Sequence, residues 1–371
     1  MFKFKYNEID TILSLEDDYI IIGKDKIDLN TSELEENGRV YLKITNDCNL
    51  NCIYCFQKND SRMKSDIDIK SYYHIINEAT NNLQKDITIF GGEPLIDENI
   101  EVLKDIFNIF SSKKKISFFT NGCYSNEIFE LLTNNKSSID YLVITLDGPE
   151  KIHNKRRILK ENNSYKIITN NLVKLEKENI PYIVQVNVDN NNIDFIEELF
   201  EELDLLIGLK NLNIILNRVL RSKNTITEID LLKKFRVLIK KYKDFNIDVN
   251  SKIYKNLATY IAGNGYNKAR CGIGTNTMVL DFITNKIYSC PQEIKTNIGF
   301  FTDKNINIDN AKVSKMRDVA YKNNNICDKC SYRKVCSNGC YLEKGIKDLK
   351  CKERIEESLE FIFKNFNDLF C

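Results

Sequence analysis

Between Arg39 and about Leu220, short runs of β-branched and aromatic residues alternate with longer segments whose apolar positions recur at helical spacing. The runs predict strands at 40–44, 87–90, 116–119, 141–144, 182–186 and 212–216. The segments between them predict helices, among them 67–83, 100–110, 165–178 and 195–205. Such alternation is the pattern of successive βα units on a parallel sheet, and six units suffice for a partial (β/α)6 barrel of the α/β class. Four regions follow. Residues 1–38 form an N-terminal extension with strand candidates at Phe2–Tyr6 and Tyr19–Ile22, and residues 39–224 form the partial barrel. Residues 225–270 read as a helical linker, and residues 271–371 as a loop-rich, cysteine-dense domain held together more by metal than by a core.

Composition narrows the class. With 54 Lys and Arg against 53 Asp and Glu, no bulk basic field points to nucleic acid. No N-terminal apolar run has the form of a signal peptide, and no stretch approaches the ~20 apolar residues of a membrane span. The chain has 12 cysteines, too many to be incidental; one group lies at 48–55, another from 271 onward, and only Cys123 falls between. Together these features predict a cytoplasmic protein whose cysteines bind metal rather than a disulfide scaffold. Cys123 is expected to be a small buried apolar residue.

Cys48, Cys52 and Cys55 form a CxxxCxxC loop directly after the first barrel strand. Zinc sites usually pair CxxC hooks and take four protein ligands. Three thiolates instead leave one iron of a four-iron cubane open to a chelating small molecule. Downstream, polar motifs follow the second, third and fourth predicted strands: Gly91-Gly92-Glu93-Pro94, Thr120-Asn121-Gly122, and Thr145-Leu146-Asp147-Gly148-Pro149 with His153-Asn154-Lys155-Arg156-Arg157 after it. The glycines let backbone approach a ligand closely, Glu93 suits an ammonium, and the Arg157 fork suits a carboxylate.

The loop and these motifs, in this order, resemble those of the radical S-adenosylmethionine (SAM) enzymes. The resemblance implies a [4Fe–4S] cluster on Cys48, Cys52 and Cys55, reductive cleavage of SAM to a 5′-deoxyadenosyl radical, and SAM contacts from Tyr54, Gly91, Gly92, Glu93, Asn121, Thr145 and Arg157. Two residues depart from the usual pattern: Asn154 stands where Asp is common, and Phe119 where Gln often precedes TNG. His153 is expected at the surface near a helix N-terminus. The series Cys271, Cys290, Cys327, Cys330, Cys336, Cys340 and Cys351 resembles the SPASM domain of peptide- and protein-modifying members. Here Asn285 replaces a glycine, and Asn is the residue that best tolerates a left-handed turn in its place.

That resemblance implies two auxiliary [4Fe–4S] clusters, making three in all: Cys327, Cys330, Cys336 and Cys351 would hold one, and Cys271, Cys290 and Cys340 a second with an open iron. Cys371 is a conceivable fourth ligand, though a chain terminus suits that role poorly. The implied function is an anaerobic radical SAM/SPASM oxidoreductase that crosslinks a ribosomally made, cysteine-containing precursor peptide, most simply through a thioether. An open auxiliary iron would bind the substrate thiolate, and a flavodoxin or ferredoxin would supply electrons one at a time. The alternatives are formylglycine formation on a sulfatase, carbon–carbon crosslinking and epimerisation. Formylglycine formation calls for an acidic residue after the second cysteine of the array. Pro291 stands there, with Glu293 two residues further on.

Overall fold

The structure, a computed structural model, describes residues 1–34, 38–58, 67–82, 86–160, 163–208, 212–220, 222–243, 245–267, 271–274, 276–292, 295–321, 329–336, 340 and 351–370. Cys327, Glu293 and Cys371 lie outside these residues. The chain opens with an antiparallel meander of β1 (Phe2–Tyr6), β2 (Ile9–Ser14), β3 (Tyr19–Ile22) and β4 (Asp25–Asp28). Its first turn puts Asn7 at φ 46° and Glu8 at φ 65°, left-handed as a two-residue hairpin connection requires.

The main elements are β5 (Val40–Lys43), β6 (Leu50–Cys52), β7 (Ile87–Phe90), β8 (Ile116–Thr120), β9 (Ile139–Thr145), β10 (Arg157–Leu159), β11 (Tyr182–Val188) and β12 (Asn213–Arg218). They continue with β13 (Asn246–Val249), β14 (Met278–Asp281), β15 (Lys286–Tyr288), β16 (Gly299–Phe301) and β17 (Ile306–Ile308). One sheet runs in the order β13-β12-β11-β9-β8-β7-β5-β14-β15-β16-β17. It is parallel from β13 to β14 and antiparallel beyond. All six expected barrel strands are present, in the open parallel arrangement of a partial barrel.

Register separates the two faces of this sheet. Val40, Leu42, Ile87, Ile89, Phe118, Leu142, Ile144, Val184, Val186, Ile214 and Leu216 share the face buried under the intervening helices. A fully buried Leu or Ile there stabilises the fold by about 1.5–3 kcal/mol. The inner face divides in two. On β5, β7, β8, β14 and β15 it carries Tyr41, Phe90, Phe119, Val279 and Tyr288, packed together. On β11 and β12 it carries half-buried amides, Gln185, Asn187 and Asn217.

Three features differ from the sequence expectation. The segment read as a helical linker contains β13, whose Asn-Ile-Asp-Val has too little apolar character to announce a strand and is recruited by pairing with β12. The boundary at 271 does not interrupt the sheet, because β14 lies parallel to β5. The C-terminal end also has an apolar core. Helices Cys351–Lys364 and Phe366–Phe370 bury Leu359, Ile362, Phe363 and Phe366, and Phe2 and Phe4 of β1 stack on Phe363 and Phe366 with ring centroids 4.6–4.9 Å apart. The expected turn at Asn285 is present, with φ 55°.

Candidate active site

The loop after β5 carries the three N-terminal cysteines, and much of the barrel is spent on bracing it. Asp47 accepts the amide of Cys48 at 2.8 Å. Asn49 donates to the carbonyl of Cys123 and accepts from the side-chain amide of Asn121, both at 2.7 Å. Cys52 lies in β6, which pairs antiparallel with β10 and sets Cys52 opposite Arg157. Cys52 is within electrostatic reach of Cys48 and of Cys55. Burial pushes the Cys48 thiol up to about 12 and raises Cys52 as well, so a metal must displace the protons of these buried thiols. Among the described residues no three Cys, His, Asp or Glu side chains converge at ligating distance; each thiol here packs against its own neighbours.

Gly91 and Gly92 pack against the backbone that enters the cysteine loop. The Gly92 and Glu93 amides donate to the carbonyls of Thr45 and Asp47, at 2.9 and 2.7 Å. A Cβ on Gly91 would fall 2.3 Å from the Thr45 oxygen, and one on Gly92 2.1 Å from that of Asp47. The glycines therefore allow the chain entering the cysteine loop to lie against this turn. Glu93 is fully buried and accepts from Thr120 Oγ1 at 2.6 Å and from the amides of Asn121 and Leu95 at 2.5 and 2.9 Å. No Lys or Arg pairs with it among the described residues. Burial raises its pKa, and those hydrogen bonds only partly offset the effect.

Tyr54 turns inward. Its hydroxyl donates to Asp147 and accepts from Arg157 Nη1 at 2.8 Å and Asn187 Nδ2 at 3.2 Å. Among the described residues, buried Arg157 Nε has no hydrogen-bond partner, and neither do Asn46 Oδ1 and Gln57 Nε2 in the cysteine loop. Thr145 ends β9, buried, on the inner face beside Gln185. Asn121 serves the loop through Asn49 and through the amide of Cys123, which it accepts at 2.7 Å. Cys123 is buried as expected and donates to the Ser164 carbonyl at 3.6 Å.

His153 is not at the surface. It is fully buried, and its Nδ1 accepts the Asp147 amide at 3.1 Å, which makes it the neutral Nε2–H tautomer; burial, then Arg157 and Arg156, hold its pKa well below the usual range. The reversal comes from the helix Glu150–Arg156 packing that side chain inward under the Asp147 turn. Asn154 has a use that Asp could not fill: its amide donates to Asn163 while its oxygen accepts from Ser164 and the Tyr165 amide.

The sequence reading missed the ionic frame behind Tyr54. Arg156, only 2% exposed, pairs with Asp189 at 2.6 Å and Asp147 at 3.5 Å, and its guanidinium lies 5.0 Å over the Tyr54 ring. Asn192 ties the carbonyls of Asp147 and Asn187 together. A second buried pair, Lys43–Asp281 at 3.3 Å, joins the ends of β5 and β14.

The C-terminal cysteines lie elsewhere. Cys271 precedes β14 and Cys290 follows the antiparallel β15, so both sit at the amino-terminal end of β14, beside Tyr41. The cysteine loop leaves the opposite end of β5. Cys336 ends the short helix Arg333–Cys336, and Cys351 begins the C-terminal helix; Cys330 and Cys340 are half-buried.

Residues 42–203 match the family model of the Radical SAM superfamily. The chain carries a radical SAM domain there. Such a domain implies SAM and a [4Fe–4S] cluster. The chain is 27% identical over 164 residues to the sporulation killing factor maturation protein SkfB of Bacillus subtilis, covering 43% of this chain and 38% of that protein. It is 24% identical over 326 residues to a cysteine-type anaerobic sulfatase-maturating enzyme of Clostridium novyi, covering 80% and 85%. Among solved structures, anSMEcpe with bound AdoMet and the Cp18Cys peptide aligns with a TM-score of 0.67 at 18% identity, over 89% of this chain and 97% of that one. No described helix of the enzyme is long and apolar enough to cross a membrane.

Proposed function

We propose that this radical SAM enzyme modifies a ribosomally made peptide by abstracting a hydrogen atom from it. The observation that carries the proposal is the site's unmet chemistry. A braced loop presents three soft thiols, beside a buried carboxylate and a buried guanidinium N–H that have, among the described residues, no cation and no acceptor respectively. These fit the implied groups: Cys48, Cys52 and Cys55 would hold the cluster, Glu93 the ammonium of SAM, and Arg157 its carboxylate. Asn46 and Gln57, unpartnered in the same loop, join Thr145 as the remaining polar contacts. Bound together, cluster and SAM supply a carbon-centred radical able to take hydrogen from an unactivated carbon.

This chain's residues would hold that chemistry in place. Arg157 and Tyr54 fix the floor of the site, with Asp147 and Arg156 locking Tyr54 from behind. The aromatic cluster of the inner face excludes water beneath.

The C-terminal array would hold two further clusters, one on Cys327, Cys330, Cys336 and Cys351, the other on Cys271, Cys290 and Cys340. Cys271 and Cys290 lie beyond one end of β14 and the cysteine loop leaves the opposite end of its neighbour β5, whose four residues span about 13 Å. That separation suits an electron acceptor better than a ligand for the substrate sulfur. Thioether formation then balances: hydrogen leaves the acceptor carbon as an atom, the cysteine thiol loses a proton, and the surplus electron passes to the array. The two relatives named for maturation favour a peptide substrate. Pro291 after Cys290 favours crosslinking over formylglycine formation, which would need a base there.

Mass spectrometry of the reacted peptide tests the reading. The expected product is about two hydrogens lighter per bond and keeps its cysteine sulfur. A product that has lost the sulfur and reacts with a hydrazide would be formylglycine and would refute crosslinking.

A further inference from the structure

The N-terminal meander grips the two stretches of chain that carry Cys330, Cys336 and Cys351. Its second turn presents Asp18, left-handed at φ 56°, whose carbonyl accepts the Leu29 amide at 2.7 Å. An Asp keeps that conformation only where its surroundings hold it. Asp18 Oδ1 accepts from the Tyr260 hydroxyl, on the helix Lys252–Ile261, and from Lys334 Nζ, 316 residues along the chain. Lys334 lies in the helix Arg333–Cys336, two residues before Cys336. That helix and the turn before it form one piece: the Arg333 amide donates to the Cys330 carbonyl at 3.1 Å, and the Cys336 amide to the Tyr332 carbonyl at 2.8 Å. Val335 is its fully buried anchor, and Asn256 Nδ2 donates to the Val335 carbonyl at 3.0 Å. The second stretch is the helix Cys351–Lys364. Tyr332 donates to Glu356 of that helix at 2.6 Å, and Phe2 of β1 stands between the two pieces, its ring 6.4 Å from that of Tyr332 and 4.6 Å from that of Phe363.

We propose that the N-terminal meander is the scaffold that sets Cys330 and Cys336 against Cys351 for one metal centre, with Asp18 as its positioning residue. The proposal rests on assigning a cluster to those cysteines, and adds what brings them together. Cys271 and Cys290 flank the β14–β15 hairpin of the main sheet, so their site does not depend on the meander. Metal and meander are then linked. A group that binds only the assembled cysteines stabilises the closed meander by as much as the closed meander favours the group. The side chains of Asp18 and Lys334 are 24% and 22% exposed, and an ion pair so placed adds little to the stability of the whole chain. Its effect is local: it fixes one ligand-bearing piece to the sheet on which the other packs.

The test uses the full chain before and after anaerobic reconstitution with ferrous iron and sulfide. Iron is counted per chain, and trypsin cleavage after Lys24 and Lys26, exposed at the β3–β4 hairpin, is followed by mass spectrometry as a measure of meander opening. Reconstitution should slow that cleavage about tenfold in the wild type. Asp18→Ala and Lys334→Met should each bind about eight irons in place of about twelve, and reconstitution should no longer slow their cleavage. The melting temperature of the iron-free protein should change little in both. Asp18→Asn keeps an acceptor for Tyr260 and a residue that tolerates the left-handed turn, and should recover part of the iron. A full complement of iron in Asp18→Ala and Lys334→Met, or a wild-type meander cut equally fast with and without metal, would overturn the proposal. So would an iron-free melting temperature that falls in step with the iron, since Asp18 would then be a general packing contact. If Cys330→Ala/Cys336→Ala/Cys351→Ala still binds as much iron as the wild type, these cysteines hold no cluster, and the reading beneath the proposal falls with it.

Discussion

The two ends of the parallel sheet treat their cysteines differently. At the carboxyl end the loop of Cys48, Cys52 and Cys55 is held by β10, by Asn49 and Asn121, by Asp47 and by the turn at Gly91 and Gly92. At the other end, Cys271 and Cys290 flank a hairpin; elsewhere Cys336 ends a four-residue helix and Cys351 begins the C-terminal one. The first site is prepared by the barrel before any metal arrives. A metal site joining the C-terminal cysteines, so far apart in sequence, would contribute more of the local folding free energy. A reaction centre needs fixed geometry around SAM, whereas an electron store needs only to be near enough.

Variants that break this contrast should differ in size of effect. The largest loss of stability is expected at Lys43, whose buried partner Asp281 ties the two ends' strands together. Lys43→Met should cost about 3–5 kcal/mol in chemical denaturation, because Asp281 is left charged and buried. Removing the charge of both, in Lys43→Met/Asp281→Asn, should recover part of that loss.

Next come the SAM contacts. Glu93→Ala and Arg157→Ala should each weaken SAM binding by about 1.5–3 kcal/mol, read by calorimetry on the reconstituted enzyme. Iron content should hold in Glu93→Ala. Unchanged affinity in both would show that the unmet groups belong to something other than SAM.

Gly92→Ala should be smaller in stability, about 1–3 kcal/mol, because the loop can shift to relieve a 2.1 Å clash. Its effect on SAM cleavage should nevertheless be severe, since the carbonyl it displaces belongs to Asp47, the residue that anchors Cys48. The smallest effect belongs to Arg236→Ala, which breaks a partly exposed pair with Asp368 at 2.5 Å. Less than about 1 kcal/mol is expected, with SAM cleavage unchanged.

The cysteine spacing and the motif order were readable because they depend on local sequence. So were the six barrel strands, each a run of Val, Ile, Leu, Phe or Tyr that is apolar on both faces or nearly so. What escaped was long-range. Asp147, Arg156, Asp189 and Asn192 have no shared local signature and meet only when β9 and β11 lie side by side. His153 carries an ionisable side chain that reads as exposed until the Asp147 turn closes over it. β13, with Asn and Asp at alternate positions, looks like loop and becomes a strand only by pairing with β12.

The central claim is that the radical arises at the carboxyl end of the sheet and that the array at the other end serves a later step. Formation of 5′-deoxyadenosine in two triple variants, compared side by side with iron content, tests it most directly. Cys48→Ala/Cys52→Ala/Cys55→Ala should form none and retain about eight irons of about twelve. Cys271→Ala/Cys290→Ala/Cys340→Ala should still cleave SAM while yielding no crosslinked peptide. SAM cleavage that persists in the first variant, or disappears in the second with its N-terminal cluster intact, would contradict the account.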